Sequence, residues 1–242
     1  MAATTESAYL GGELDLFALA VNWKQYVKSA IGHYLVGDVL EVGAGIGGTT
    51  SALHDGSARR WVCLEPDENQ ARRLREMAAG RWKTAAPLVV VGSLRTFAER
   101  PSFDCVVYMD VLEHIEDDAG EVKMAARLLR AGGRLVVLSP AHQWLFSAFD
   151  HQIGHLRRYT KNMLQMLKPP GCVEEKLLYL DSLGLFLSLG NAFLLRKTLP
   201  SPSQIAVWDR VFVPGSRVVD RMLGGRFGKS VLAVWRKTSA GC

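Results

Sequence analysis

Short apolar runs alternate with amphipathic stretches through the first 140 residues, and this alternation sets the reading of the chain. "DVLEVG" (38–43) reads as a first strand and "GGTTSALHDG" (47–56) as the helix behind it. "RRWVCLEP" (59–66) predicts a second strand, followed by the charged helix "DENQARRLREMAAG" (67–80). "PLVVVG" (87–92) and "FDCVVYMD" (103–110) predict the third and fourth strands. "DAGEVKMAARLLRAGG" (118–133) reads as a helix closed by glycine, and "RLVVLSP" (134–140) as a fifth strand. Strands that are apolar on both faces and spaced by helices imply a parallel sheet covered on both sides.

The flanks differ from this pattern. Residues 1–35 read as helical, with Leu14, Phe17, Val21 and Ile31 among the apolar positions. After Pro140 come a loop rich in His and aromatics (141–160), a short helix to Pro169-Pro170 and a strand at "VEEKLLYLD" (173–181). A long apolar-then-basic stretch (182–228) precedes a last strand, "SVLAVWRK" (230–237). "SLGLFLSLGNAFLL" (182–195) is uncharged but shorter than the ~20 residues of a bilayer span. It reads as a buried or interface-lying helix, with Phe186 and Phe193 turned to the pocket or the core. With no repeat, low-complexity tract or linker, residues 1–242 read as one domain: a helical cap (1–35), a core (36–140), and a substrate-side loop and lid (141–170 and 182–228).

Composition narrows this only a little. The chain has 242 residues, 48% hydrophobic and 22% charged, as expected of an ordinary globular α/β protein. Its net charge of +5 is uneven: residues 1–154 hold 15 Lys/Arg against 19 Asp/Glu, and residues 155–242 hold 14 against 5. A basic C-terminal third suits a solvated face, an anionic substrate, or peripheral contact with an anionic membrane. Few aromatics are interleaved with those cations, so no nucleic-acid partner is expected. Cys63, Cys105, Cys172 and Cys242 lie far apart and form no CxxC, against structural zinc or a disulfide framework. "MAATTESAYLGGELD" lacks the features of a signal peptide, and the expected location is cytoplasmic.

The chemistry begins at "VLEVGAGIGGTT" (39–50), where Gly43-x-Gly45-x-x-Gly48 follows a strand and opens a helix. Such a turn lets a ligand approach the backbone, and Glu65, at the end of the second strand, can accept both hydroxyls of an adenosine ribose. Both features suit a nicotinamide dinucleotide and S-adenosylmethionine equally. Three others separate them. Glu41 lies two residues before Gly43, where a carboxylate fits poorly beside a pyrophosphate but can help organise the amino-acid end of a sulfonium ligand. None of the tyrosines has a lysine four residues on, which excludes the short-chain dehydrogenase pair. The fourth strand also runs into the acidic turn "MDVLEHIED" (109–117).

In order and spacing, "VLEVGAGIGGTT", "CLEPDE", "VVVGSL", "FDCVVYMDVLEHIEDD" and "LLRAGGRLVVLSPA" resemble class I S-adenosylmethionine-dependent methyltransferases over residues 36–141. The resemblance implies an α/β, Rossmann-like, seven-stranded sheet of order 3-2-1-4-5-7-6, with strand 7 antiparallel and helices on both faces. It implies S-adenosylmethionine as cofactor and S-adenosylhomocysteine as product. Gly43 and Gly45 would pass under the methionine part, helped by Glu41, and Glu65 would take the ribose. Pro66 would lie near the adenine, Ser93 and Leu94 would border its ring, and Met109 and Asp110 would line the opposite side.

Methyl transfer from a sulfonium is an in-line displacement, so the protein chiefly positions the reactants, with a base needed where the acceptor must lose a proton. Candidates crowd into "PAHQWLFSAFDHQIGHLRRYT" (140–160), which also resembles a bacterial subset with Asp150, Gly154, His155, Arg157, Arg158 and Tyr159 in its signature. His155 ranks first as base, His142 second, with Tyr159 as an orienting hydroxyl and His114 as an alternative base. Asp150 is either catalytic or a brace for Arg157 or Arg158. His151 and His155 beside Asp150 would make a metal set, but Gly154 argues against a helix aligning them, and no metal is expected. The apolar and cationic insert suits a small apolar or amphiphilic, even anionic, acceptor. Two other readings keep the fold: cyclisation or rearrangement without methyl transfer, and a non-catalytic binding module. Oligomeric state is left open.

Overall fold

Val39, Leu40, Val106, Val107, Val136 and Val137 are fully buried, the mark of strands covered on both faces. The computed structural model describes residues 15–83, 85–97, 100–190 and 201–239. Helix α1 (Val21–Ile31) precedes strand β1 (Asp38–Val42), and a single turn, α2 (Thr50–Leu53), leads to β2 (Arg60–Glu65). Next come α3 (Glu68–Arg81), β3 (Leu88–Val91), β4 (Phe103–Met109), α4 (Asp118–Leu128) and β5 (Leu129–Pro140). The remainder runs α5 (Ala148–Gln152), α6 (Lys161–Leu167), β6 (Cys172–Leu180) and α7 (Ser182–Gly190). It closes with α8 (Pro202–Val207), α9 (Val213–Leu223) and β7 (Ser230–Lys237).

The strands form one sheet of order β3-β2-β1-β4-β5-β7-β6. β1 to β5 pair in parallel, whereas β7 runs antiparallel to both neighbours, placing Ser230 opposite Pro140 and Leu180. Two apolar layers fill the two faces. One joins α1 and the 205–213 segment to the sheet through Ile31, Trp208 and Val213. The other holds Val122, Ala125 and Leu164 of α4 and α6 against Val106, Val137 and Trp235.

Local signals set the helix starts. Asp67 accepts hydrogen bonds from the backbone N–H groups of Asn69 (2.8 Å) and Gln70 (2.9 Å) ahead of α3. Asp117 does the same for Gly120 (2.9 Å) ahead of α4. Buried carboxylates also tie the insert down. Asp209 caps α1 through the N–H groups of Asn22 and Trp23. Asp220 accepts from Tyr26 Oη (2.8 Å) and from the N–H groups of Asp181 and Ser182. Asp181 accepts from Trp208 Nε1 (2.7 Å) and Ser216 Oγ (2.7 Å).

Three expectations change. The helix after the glycine loop is one turn, not ten residues. α4 ends at Leu128, and Gly132-Gly133 lie inside β5, where the register against β4 shifts between Phe103 and Cys105. A Cβ on Gly133 would sit 2.9 Å from the Arg130 carbonyl oxygen and 3.1 Å from that of Asp104, so glycine serves strand contact there and not helix closure. Phe186 is 65% exposed, against the expected burial, since α7 turns Ser182, Gly184 and Leu185 inward instead. Phe193 lies outside the described residues, as does Cys242, while Cys63, Cys105 and Cys172 are buried free thiols.

Candidate active site

The carboxyl ends of β1, β2, β4 and β5 open on a cavity of about 790 Å³, inside the roughly 300–1,000 Å³ range of ligand pockets. Gly43 and Gly45 form one wall. Gly43 has φ 67°, and a Cβ there would lie 2.6 Å from a Val111 methyl, so the turn requires glycine. Gly45, at φ 56°, donates its N–H to Glu65 Oε2 (2.7 Å), while Asp67 N–H binds Oε1 (3.0 Å). Glu65 therefore clasps the glycine loop to the end of β2. Burial raises its pKa, and the two backbone donors oppose that rise. Pro66, Ser93, Met109 and Asp110 also line the cavity.

Two expected cofactor residues do not reach the cavity. Glu41 is buried on the sheet face under α2, where its Oε2 accepts from Thr50 Oγ1 (2.8 Å) and Trp61 Nε1 (2.9 Å). It braces the loop from behind, and burial pushes its pKa up to about 7. Leu94 is 1% exposed and belongs to the α4-side core, because the short turn after Ser93 points its side chain inward.

The same cavity is lined by Glu113, His114, His155, Arg158 and Lys229. His155 comes from the 141–160 loop, which is clasped at its ends: His142 N–H donates to the Tyr159 carbonyl and Tyr159 N–H to that of Pro140, both at 2.9 Å. Gly154, at φ 81°, then turns His155 inward. Its Nδ1 donates to Asp150 Oδ1 (2.8 Å), leaving Nε2 3.7 Å from Glu113 Oε1. His114 donates Nδ1 to the Gly154 carbonyl (3.2 Å), and its ring stands edge-on to His155 at 4.7 Å. Desolvation, then the neighbouring His155, lowers the His114 pKa to about 4.

Of the other catalytic candidates, none lines the cavity. Asp150 is fully buried and binds Arg158 in a fork, Nε at 2.8 Å and Nη2 at 2.9 Å, so it is the brace of the alternative reading, with Arg158 as partner. Burial alone would raise its pKa, but the hydrogen bonds from His155 and Arg158 prevail and hold it well below the usual range. His142 sits at φ 68°, hydrogen-bonded through Nε2 to the Gly228 carbonyl (3.0 Å) and packed beside Trp144 and Tyr179. Tyr159 is buried and gives its hydroxyl proton to Asp118 Oδ2 (2.7 Å), which fixes it as structure and not as an orienting hydroxyl.

Glu113, Lys229 and Trp208 also line the cavity, with no local sequence pattern that marks them as site residues. Lys229 faces the cavity with its ammonium 4.6 Å from the Trp208 ring centroid, and desolvation lowers its pKa. Phe17, Trp23 and Val27 add an apolar wall from the N-terminal side, and Phe149 and Ile153 one from the loop.

A family model described as a methyltransferase domain matches residues 40–137, the stretch that builds the glycine loop, Glu65 and the end of β4. That stretch, about two fifths of the chain, is the one whose motifs resemble class I S-adenosylmethionine-dependent methyltransferases. The chain is 27% identical to the ubiquinone biosynthesis O-methyltransferase of Idiomarina loihiensis, over 54% of its own length and 56% of that protein. It is 29% identical to the demethylmenaquinone methyltransferase of Tropheryma whipplei, over 66% of its length and 65% of that one. The chain thus spans less than two thirds of these relatives. A solved S-adenosylmethionine-dependent methyltransferase from Mesorhizobium loti shares the fold at a TM-score of 0.56 and 16% identity, over 84% of this chain and 93% of that one. Among the described residues, no helix is long and apolar enough to cross a membrane.

Proposed function

We propose that this domain transfers the methyl group of S-adenosylmethionine to a hydroxyl on an apolar, ring-bearing small molecule. One observation carries the reading: the glycine loop with Glu65 and the Glu113–His114–His155 cluster line a single cavity. The cofactor lies against the first, its ribose on Glu65 and its methionine end under Gly43 and Gly45. The acceptor lies against the second, with its hydroxyl toward His155 and its apolar body among Trp23, Phe149 and Trp208. The names of the relatives, O-methylation in ubiquinone biosynthesis and methylation of demethylmenaquinone, support a quinol-type ring. Helix α1 and the 201–228 region serve as the cover, anchored by Asp181, Asp209 and Asp220.

Positioning supplies most of the rate, since the sulfonium already carries a good leaving group. The acceptor's proton must depart as its oxygen attacks, and Glu113, His114 and His155 are the groups placed to handle it. The test incubates the protein with methyl-labelled S-adenosylmethionine and a panel of hydroxylated prenyl-quinols, with products read by mass spectrometry. Label in a methyl ether is the expected result. A chain that binds S-adenosylhomocysteine yet labels none of the ring hydroxyls rules out this acceptor class.

A further inference from the structure

The Glu113 carboxylate is fully buried, and neither of its oxygens has a well-formed hydrogen bond among the described residues. An unpaired buried carboxylate is costly unless a proton or a cation satisfies it. Next to it stand two imidazoles, each with one nitrogen already committed. His155 spends Nδ1 on the Asp150 carboxylate, and His114 spends Nδ1 on the Gly154 carbonyl. Both Nε2 atoms are left free to ligate. A ring N–H held by a carboxylate or a backbone carbonyl, with the other nitrogen open, is the outer-shell arrangement of metal-binding histidines.

We propose that Glu113, His114 and His155 bind one divalent cation of the zinc type at the acceptor end of the cavity. Donor atoms of the three residues lie within 4.8 Å of one another. His155 Nε2 and Glu113 Oε1 are 3.7 Å apart, near the about 3.4 Å between two donors on a tetrahedral ion with bonds of about 2.1 Å. Two imidazoles and one carboxylate are a three-ligand set of the kind that leaves a position open for water or substrate. All three residues line the cavity, and the set differs from the Asp150–His151–His155 grouping: His151 stands edge-on to Phe146 instead, with ring centroids 4.8 Å apart.

The use of the ion rests on the methyl-transfer reading. With an acceptor hydroxyl in the open position, the cation lowers its pKa and the proton leaves to solvent water. An oxygen lone pair then forms the O–CH3 bond as the CH3–S bond breaks, giving a methyl ether and the neutral thioether. On this account His155 is a ligand, and Asp150 is a positioning residue that orients it.

The experiment titrates chelator-stripped protein with Zn2+ by calorimetry and with Co2+ by visible absorption, measuring S-adenosylhomocysteine binding in parallel. One ion per chain is expected, with Co2+ ligand-field bands of a low-coordinate nitrogen and oxygen site. Glu113→Gln keeps the shape of the side chain and removes only its charge, so it should fold, and it should weaken Zn2+ binding at least about tenfold. Asp150→Asn should weaken it by about 10–100-fold by freeing His155. No stoichiometric binding, or equal binding in Glu113→Gln and His114→Ala, overturns the site. If S-adenosylhomocysteine binds and the cation does not, the site falls and the methyltransferase reading stands. If the cation binds as expected and S-adenosylhomocysteine does not, the reverse holds.

Discussion

Asp150 and His155 are joined by a 2.8 Å hydrogen bond, and the same carboxylate holds Arg158 in a two-pronged ion pair. One buried acid thus orients two side chains that line the cavity. Asp150→Ala leaves the Arg158 guanidinium buried without its counter-charge, a change that costs about 3–5 kcal/mol. Urea unfolding at neutral pH should show a loss of that size. An unchanged midpoint would mean that Arg158 finds another partner.

The histidines separate by position. His155→Ala should cut turnover by roughly 10²–10⁴ while leaving cofactor affinity alone, because its ring lines the cavity where the acceptor is proposed to bind. His142→Ala should cut it less than about tenfold, since that ring spends its nitrogen on Gly228 outside the cavity. Steady-state rates of the two variants decide the order, and equal losses would overturn the assignment.

For the proposed cofactor contact, Glu65→Ala removes a carboxylate that holds the Gly45 and Asp67 N–H groups and that the proposal assigns to the ribose. S-adenosylhomocysteine binding should weaken by about 1.5–3 kcal/mol, as measured by calorimetry. An unaltered dissociation constant would remove the ribose from Glu65.

Much of this was legible in the sequence, and the limits have physical causes. The five parallel strands were readable because each is apolar on both faces and bounded by turn residues. Glu65 stood out as an acid at the end of an apolar strand. Lys229 was unreadable because it reaches the cavity only through the antiparallel pairing that sets Ser230 against Pro140, a contact across the chain. Glu113 lay within the acidic turn "DVLEHIED", and its neighbour His114 was the visible signal, yet nothing local says that Glu113 is the buried member. Glu41 misled because its position beside the loop says nothing about which sheet face it takes. Val39 and Cys63 share its face, under α2.

Glu41 also makes stability depend on pH. Its folded pKa stands at about 7, above the 4.5 of a free glutamate, so the fold favours the protonated form. Stability from this group is therefore full below pH 4.5 and is lost as pH rises to about 7. The loss approaches about 3 kcal/mol at 1.36 kcal/mol per pKa unit. Glu41→Gln cannot ionise, so its stability relative to wild type should improve between pH 4.5 and pH 8 by an amount of that order. Unfolding curves at several pH values in that interval test this, and parallel pH profiles for the two proteins would refute it.

Tyr159→Phe removes the hydroxyl that donates to Asp118 without touching the cavity lining. It should lower stability by about 1.5–3 kcal/mol, the range for a hydrogen bond to a charged group. A melting curve shifted downward with turnover retained is the expected pair of results, and lost turnover at unchanged stability would return Tyr159 to the chemistry.

The clasp at Pro140, His142 and Tyr159 brings the two ends of the intervening segment together at one strand exit. The segment is also fastened to the turn after β4, where Leu156 N–H donates to the Glu113 carbonyl (2.8 Å) and Arg157 pairs with Asp118 (2.7 Å). On the proposed reading, loop and turn form one unit that shapes the acceptor end, and a new acceptor calls for changing both together.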